Sequence, residues 1–240
     1  WKRAKENEPY WESPFGKGRP GWHIECSAMS CKHLGETFDI HAGGSDLIFP
    51  HHENEIAQSE AATGKQFARY WMHFGFLNIN EEKMSKSLGN FFTARDILKV
   101  YPPETIRMFL FQTHYASPLN FSDEAILAAQ KGLEKIDNLV LRIKEGLASA
   151  PDNNSIPDFP FDRFFNDFTV AMDDDFNSPK AIAVIFDFVK EANRSLADKR
   201  DVSKKFYEDL HSFMERTAIG VLGITDFDKQ SDNKSALSDS

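Results

Sequence analysis

Hydrophobic and polar positions change their spacing part of the way along this 240-residue chain. Between Gly21 and Asn90, stretches with apolar residues at helical intervals alternate with short strand-like runs. From Thr93 onward, the apolar residues recur at helical intervals alone. The pattern therefore predicts an α/β segment followed by all-α segments.

The α/β segment contains two predicted helices and two predicted strands. The spacing places helices over residues 23–34 and 50–62, and strands over residues 38–41 and 74–79. Gly35 and Gly64 follow the two helices, as glycine commonly does at helix ends, and Pro50 suits the first turn of the second helix. A strand followed by the Gly43-Gly44 turn and a helix is the nucleotide-binding arrangement of doubly wound sheets, because glycine lets a ligand approach the backbone closely.

The predicted helices after residue 90 fall into two groups. They cover residues 93–99, 103–112 and 122–148, then residues 161–224 beyond a linker rich in Pro, Asp, Asn and Ser at 149–160. Ser122 is a good helix start, because its hydroxyl can cap free amides. We therefore predict four parts: residues 1–90 with the α/β segment, helical residues 91–150, helical residues 161–225, and a polar, mobile tail at residues 226–240.

Composition narrows the class of protein without naming a function. Apolar residues make up 41% of the chain, and no run approaches the roughly 18 to 20 apolar residues that a membrane span needs. Cys26 and Cys31 are too few for a disulfide framework, so we expect a cytoplasmic protein with no membrane partner. The net charge of -9 disfavours nonspecific binding to nucleic acid, and we therefore expect no binding to DNA. It does not exclude a local basic face that contacts the phosphates of RNA.

Two lysines and two serines are concentrated in the five residues Lys83-Met84-Ser85-Lys86-Ser87, the lysine-serine loop. Lysine ammonium groups beside hydroxyl donors can follow the negative charge that builds on a pyrophosphate leaving group. The composition suits the binding of a triphosphate. An arbitrary pentapeptide of this kind is nevertheless more often a solvated basic loop, so its context has to decide.

Three residues with metal-ligating side chains fall on the two predicted helices of the α/β segment. His51 and Glu55 lie four residues apart, so both side chains project from one helix face. Cys26 can join them from the preceding helix. Thiolate, imidazole and carboxylate are all zinc ligands, but the spacing alone only suggests a metal site, because a Cys, a His and a Glu often occur together by chance.

Four further residues could belong to the same site. Cys31 points away from the other cysteine on a helix, so we expect a packed or free thiol. His52 is rotated about a third of a turn from its neighbour, which favours a supporting position or the surface. Spacing leaves His23 and His41 unassigned, either as structural histidines or as partners that orient a ligand.

Three ordered motifs accompany the lysine-serine loop. They are Gly21-Trp22-His23-Ile24-Glu25-Cys26-Ser27-Ala28-Met29, Gly43-Gly44-Ser45-Asp46 and Phe49-Pro50-His51-His52-Glu53-Asn54-Glu55. With these motifs the chain resembles the cysteinyl-tRNA synthetases, a family of class I aminoacyl-tRNA synthetases, over most of residues 1–225. The resemblance implies an α/β fold, the carboxy-terminal half of a Rossmann-like catalytic domain, followed by all-α domains, of which residues 161–225 form a tRNA-side, DALR-like domain.

The resemblance also implies roles for single residues. Cys26, His51 and Glu55 match the zinc ligands of the family, which takes a further cysteine ligand from an amino-terminal half. Trp22 matches the aromatic residue that closes the amino-acid pocket. Asp46 matches the carboxylate that receives the ammonium group of the substrate.

The lysine-serine loop matches the ATP-binding signature of the class I synthetases. Lys83 and Lys86 would act on the pyrophosphate as catalytic residues, and Lys86 matches an ATP contact of the family. The other predicted ATP contacts are Ser85, Ser87, Gly43 and Gly44, and magnesium accompanies the ATP. Zinc would select the amino acid, because it binds a thiolate well and a serine hydroxyl poorly, whereas size separates the two side chains poorly.

The predicted function is that of a cysteine–tRNA ligase, which activates cysteine with ATP to cysteinyl-adenylate and transfers it to tRNA(Cys). One alternative is the cysteine ligase of mycothiol biosynthesis, which also uses ATP but has an aminosugar acceptor. Another is a noncatalytic zinc- or RNA-binding module. A zinc hydrolase built on His51 and Glu55 is disfavoured, because no water-activating partner is evident. We expect a monomer.

The chain begins at Trp1, and nothing between Trp1 and Gly21 supplies the histidine-rich nucleotide motif that the family carries in its amino-terminal half. We therefore expect a fragment that contains one side of the ATP site and is inactive alone.

Overall fold

The computed structural model describes residues 1–79, 82–83, 93–198 and 202–228. The chain divides into two compact units. The first unit consists of residues 1–76 and 116–118, and the second of residues 77–115 and those from 119 onward. The division into four parts that composition suggests stays a prediction.

The first unit is a β-α-β arrangement preceded by a short hairpin and a helix. The hairpin pairs β1 with β2, and the larger elements are α1, β3, α2 and β4. Their bounds are Lys2–Arg3 (β1), Gly18–Arg19 (β2), Trp22–Leu34 (α1), Phe38–Gly44 (β3), Glu53–Thr63 (α2) and Ala68–Phe74 (β4). Strands β3 and β4 are parallel, with Phe38 opposite Ala68 and Gly44 opposite Phe74. Helix α2 is thus the crossover that a parallel pair requires.

The segment between β3 and α2 differs from the predicted helix over residues 50–62. Helical turns at Ser45–Leu47 and Ile48–His52 come first, and regular α-helix begins at Glu53. Phe49 has extended dihedral angles (φ -129°, ψ 130°), which interrupt the helical turn just before Pro50. The predicted end is confirmed, because Gly64 has a left-handed conformation and closes α2.

The single strand predicted over residues 74–79 is wrong. Strand β4 ends at Phe74, and a new strand, β5 (Leu77–Ile79), begins after a break at Gly75. Any side chain at Gly75 would overlap the backbone of Ser117, so the break accompanies a close backbone approach that only glycine permits.

The second unit is mainly helical and begins with a three-stranded sheet. In this sheet, β5 pairs with β6 in antiparallel and with β7 in parallel orientation. The elements after β5 are β6 (Glu82–Lys83), α3 (Ala94–Ile97), α4 (Pro103–Phe111), β7 (Leu119–Phe121), α5 (Asp123–Ser149), α6 (Phe161–Asp173), α7 (Ser178–Asp198) and α8 (Lys204–Met214). The predicted order of an α/β segment followed by helices is confirmed.

Helix α5 is the longest element and begins where its sequence predicts. The Ser122 hydroxyl accepts a hydrogen bond from the Ala125 amide, 3.2 Å away. Its buried face packs with the phenylalanines of the later helices, among which Phe188 and Phe213 stack with ring centroids 3.8 Å apart. Among the described residues, none of the helices combines the length and the hydrophobicity needed to cross a membrane.

Candidate metal centre

Cys26, His51 and Glu55 come together in the first unit, where their ligand atoms all lie within 4.8 Å of one another. Cys26 lies on α1, Glu55 lies on α2, and His51 lies in the turn just before α2. His51 is 4% exposed and Glu55 is fully buried. The structure therefore brings the three predicted ligands to one point with a soft, a borderline and a hard donor, a set that fits zinc.

The Glu55 carboxylate is buried without a hydrogen bond of normal geometry from the described residues. Imidazole nitrogens nevertheless lie close: His51 Nε2 is 2.5 Å from Oε1, and His41 Nε2 is 2.8 Å from Oε2. Burial raises the pKa of Glu55 to about 7. Because a buried negative charge is costly unless a positive charge balances it, a cation at this point would stabilise the ionised carboxylate.

A cation would also change the protonation state of the Cys26 thiol. Burial raises the pKa of its thiol, and the charges of Glu55 and Glu25 raise it further, against a hydrogen bond from Trp22 that lowers it. Without a cation the thiol is therefore held in its protonated form. A bound metal ion reverses this preference, because a coordinated thiol is deprotonated.

His23 supports His51 from α1. The Nδ1 atoms of the two rings are 2.7 Å apart, so one ring donates a proton to the other, and Nε2 of His51 is left to face Glu55. Burial, and secondarily the neighbouring His23, lowers the pKa of His51. A neutral imidazole is the form that binds metals. His23 thus has the position of a partner that orients a ligand, one of the two alternatives that spacing left open.

A second group shares the same carboxylate. His41, His52 and Glu55 also have ligand atoms within 4.8 Å of one another. His52 is 3% exposed, so it occupies a supporting position and not the surface. Its Nδ1 lies 2.8 Å from Nε2 of His73, and burial, followed by the charges of the neighbouring histidines, lowers the pKa of His52 to about 4.

His73 is the residue of this cluster that sequence reasoning missed. It lies on β4 opposite Gly43 of β3, with Trp71 opposite His41 two residues earlier. The signal was the alternation along β4, which would have placed Trp71 and His73 on one face. Because the predicted strand was shifted to residues 74–79, that face was not recognised.

Gly43 and Gly44 make room for side chains of their own unit. A methyl group added at Gly43 would lie 2.7 Å from Cε1 of His52, and one at Gly44 would lie 2.5 Å from Oδ1 of Asp46. Gly43 therefore requires glycine for packing against the buried His52 ring, whereas the exposed Asp46 side chain beside Gly44 can shift. The turn predicted at these two glycines is wrong, because both belong to strand β3. Their contact with ATP stays a prediction.

The other predicted site residues are placed as follows. Trp22 is 54% exposed, and its ring centroid is 4.2 Å from that of His51. Asp46 is exposed within the turn at Ser45–Leu47. Cys31 is partly buried against the core residues Phe38, Phe67 and Ala68, as expected of a packed thiol.

The lysine-serine loop lies mostly outside the described residues. Lys83 is in β6, opposite Asn78 of β5. Ser85, Lys86 and Ser87 are beyond the part of the chain that the structure describes. Their roles at ATP stay predictions.

Comparison with known families gives two matches. Residues 1–131 match the family of the tRNA synthetases class I (C) catalytic domain, and residues 167–226 match the DALR domain. The two matches agree with the predicted fold class, a class I catalytic domain followed by a helical domain.

Comparison with curated proteins gives relatives that are named cysteine–tRNA ligases. A cysteine–tRNA ligase of Carboxydothermus hydrogenoformans is 54% identical over 211 residues, which are 87% of this chain and 45% of that protein. One of Pelotomaculum thermopropionicum is 58% identical over 82% of this chain and 41% of its own length. The chain thus spans less than half the length of these relatives.

Two solved structures share the fold at low sequence identity. The LeuRS–tRNA–LeuAMS ternary complex of Agrobacterium radiobacter K84 matches with a TM-score of 0.59 and 19% identity, over 75% of this chain and 25% of that chain. Methionyl-tRNA synthetase of Mycobacterium tuberculosis, in complex with methionyl-adenylate, matches with a TM-score of 0.50 and 20% identity, over 74% and 34%.

Proposed function

The chain belongs to the family of the class I (C) tRNA synthetase catalytic domains, and we propose from this premise that it is part of a cytoplasmic cysteine–tRNA ligase. The observation that carries the proposal is the group of Cys26, His51 and Glu55, in which His51 and Glu55 are buried and Cys26 is half-buried. The names of the relatives and the DALR match at residues 167–226 support the assignment to cysteine and tRNA(Cys).

The proposed reaction has two steps. A carboxylate oxygen of cysteine attacks the α-phosphorus of ATP, and the bond to the bridging oxygen breaks, which gives cysteinyl-adenylate and pyrophosphate. A terminal hydroxyl of the tRNA then attacks the carbonyl carbon, and AMP leaves. Positioning and charge stabilisation govern phosphoryl chemistry of this kind.

The metal group would select the substrate. When bound, zinc supplies a soft Lewis acid that accepts a thiolate readily and a hydroxyl poorly. The chain's own contribution is to hold three donors at one point and to keep His51 neutral by burial. Trp22, whose ring lies against His51, would close the amino-acid pocket, and Asp46 would receive the ammonium group of cysteine.

The lysine-serine loop would act on ATP. In this proposal Lys83 and Lys86 stabilise the negative charge of the departing pyrophosphate, and magnesium accompanies the nucleotide. Ser85 and Ser87 add hydroxyl donors. Gly43 and Gly44, the last two residues of β3, would lie along the nucleotide, which adds a second reason for their lack of side chains.

Activity is proposed to require the part of the relatives that this chain does not span. The β3–β4 pair supports this view, because Ile40 and Tyr70 share one face by strand alternation and are 56% and 68% exposed. Parallel sheets are normally covered on both faces. An apolar face left open in this way indicates that additional chain covers it in the active enzyme.

A chimeric enzyme tests the proposal. The chain replaces the matching segment of the Carboxydothermus hydrogenoformans ligase, and ATP–pyrophosphate exchange is measured with cysteine and with serine. We expect exchange that depends on cysteine, charging of tRNA(Cys), and loss of both in a Cys26→Ser chimera. A folded chimera without cysteine-dependent exchange would refute the proposed activity.

A noncatalytic zinc- or RNA-binding module is the second candidate, because the group of Cys26, His51 and Glu55 could hold zinc without any reaction. The 240-residue chain alone would then bind zinc or tRNA, and supplying the missing part would add no activity. The third candidate is an ATP-dependent cysteine ligase of the mycothiol type. Charging assays with an aminosugar acceptor in place of tRNA distinguish it from the tRNA ligase.

A further inference from the structure

Helix α1, which carries Cys26, has a serine as its buried residue. Ser27 is 3% exposed, whereas the apolar residues Ile24, Met29 and Leu34 of the same helix are 39%, 55% and 61% exposed. A helix of this kind is usually held by an apolar stripe against its neighbour. In α1 a polar contact occupies the position where such a stripe would lie.

The partner of Ser27 is Gln58 on α2. The Ser27 hydroxyl oxygen is 3.0 Å from the side-chain oxygen position of Gln58 and 3.1 Å from the backbone oxygen of His23. A hydroxyl has one proton to donate. With the Gln58 amide turned so that its NH₂ donates to Ser27, the hydroxyl proton goes to the His23 carbonyl, and both contacts of the hydroxyl are hydrogen bonds.

This contact lies beside the metal group on both helices. Ser27 follows Cys26 directly, and Gln58 is three residues beyond Glu55, on the same side of α2. The distance between His51 and Glu55 is set locally by their spacing of four residues. The distance from Cys26 to these two ligands depends instead on how α1 sits against α2.

We propose that Ser27 and Gln58 form a positioning pair, which fixes the spacing of α1 and α2 so that the Cys26 sulfur meets the His51 and Glu55 donors. The pair touches neither metal nor substrate. Because it fixes one ligand relative to the other two, its loss weakens and distorts metal binding more than it weakens the fold. This inference rests on the proposed metal group.

The test measures zinc binding by the chimeric ligase described above, which also contains the part of the relatives that this chain does not span, in competition with a chelator. The variants are Ser27→Ala, Gln58→Leu and the double variant, with Ser30→Ala as a matched control on the same helix. Each single variant is expected to raise the zinc dissociation constant about tenfold, the lower end of the effect of losing a supporting contact. The zinc dissociation constant of the double variant is expected to rise no further than that of a single variant, because the same contact is lost in every case.

Cobalt substitution gives a readout that a purely structural role would not move. The thiolate-to-cobalt charge-transfer band is expected to weaken in Ser27→Ala and Gln58→Leu and to persist in Ser30→Ala. Unfolding of the metal-free variants, followed by circular dichroism, is expected to match the control. Gln58→Leu is the second variant in case Ser27→Ala does not fold. It places a strong helix former at a half-buried position of α2 and should preserve the fold.

Two results would overturn the inference in distinguishable ways. If the unchanged chimera binds zinc and both variants bind it as tightly as Ser30→Ala, the positioning pair is wrong and the metal group stands. If the unchanged chimera binds no zinc, the metal part of the proposed function fails together with the pair.

Discussion

Tyr115 donates its hydroxyl proton to Oδ1 of Asp175 over 2.7 Å, which joins the segment before β7 to the turn between α6 and α7. Asp175 and the following Phe176 both have left-handed backbone conformations, with φ of 53° and 52°. Such conformations are unfavourable for residues with a side chain. The hydrogen bond therefore holds a strained turn in place.

Removing this hydrogen bond is predicted to destabilise the second unit modestly. Tyr115→Phe should lower the free energy of unfolding by about 1 kcal/mol, because the bond has a charged acceptor but Asp175 faces solvent. Urea unfolding measures the change. Tyr70→Phe, at an exposed tyrosine of the first unit, is the control and should leave the stability unchanged.

The same pair predicts a pH dependence. The hydrogen bond to Asp175, then burial and the Asp175 charge, raises the pKa of Tyr115 to about 12. A group whose pKa is raised on folding contributes fully below its unfolded pKa, about 10 for tyrosine. The stability difference between the unchanged chain and Tyr115→Phe should thus be constant up to that pH and should shrink as the pH approaches 12. A difference that grows above pH 10 would contradict the assignment.

An alanine at Gly146 is predicted to destabilise helix α5, although alanine is normally better than glycine in a helix by about 1 kcal/mol. A methyl group there would overlap the ring of Tyr207. Overpacking of this kind costs about 1 to 3 kcal/mol. Thermal unfolding measures the loss.

Gly132→Ala, on the same helix, is the matched control for Gly146→Ala. Its nearest contact would be 3.1 Å from the end of the Phe186 side chain, which can shift slightly. We expect the thermal stability of Gly132→Ala to be nearly unchanged. Equal effects at the two glycines would show that helix propensity, and not the Tyr207 contact, decides.

The two cysteines are predicted to differ in metal binding. Cys26→Ser should weaken zinc binding by more than about 100-fold, because even the loss of a supporting contact costs about 10- to 100-fold. Cys31→Ser should retain stoichiometric zinc, since its thiol packs against Phe38 and Phe67. Metal analysis after dialysis distinguishes the variants, and loss of zinc in Cys31→Ser would overturn the ligand assignment.

Lys86 is predicted to act on ATP and not on cysteine. In the chimeric ligase, Lys86→Ala should slow pyrophosphate exchange by about 10² to 10³, the effect of removing one donor to a developing negative charge. The KM for cysteine should change little. Lys99→Ala, which removes an exposed lysine paired with Asp96, is the control. An unchanged exchange rate in Lys86→Ala would exclude this role.

Local signals in the sequence determined the helices and part of the site. Ser122 caps α5, Gly64 ends α2, and the spacing of four residues places His51 beside Glu55, because each of these features depends on residues within one or two turns. The order of the motifs was sufficient to indicate the family. The sequence, through this resemblance, is therefore enough to predict Cys26, His51 and Glu55 as metal ligands.

Tertiary structure alone decided how these three residues are supported. The contacts His41–Glu55, His52–His73 and Ser27–Gln58 join residues on different elements, 14 to 31 positions apart in the sequence. Such contacts depend on the parallel register of β3 and β4 and on the packing of α1 against α2, which no local pattern encodes. The sequence by itself determined which side chains could bind a metal, and the packing of separate elements decided which of them are buried together.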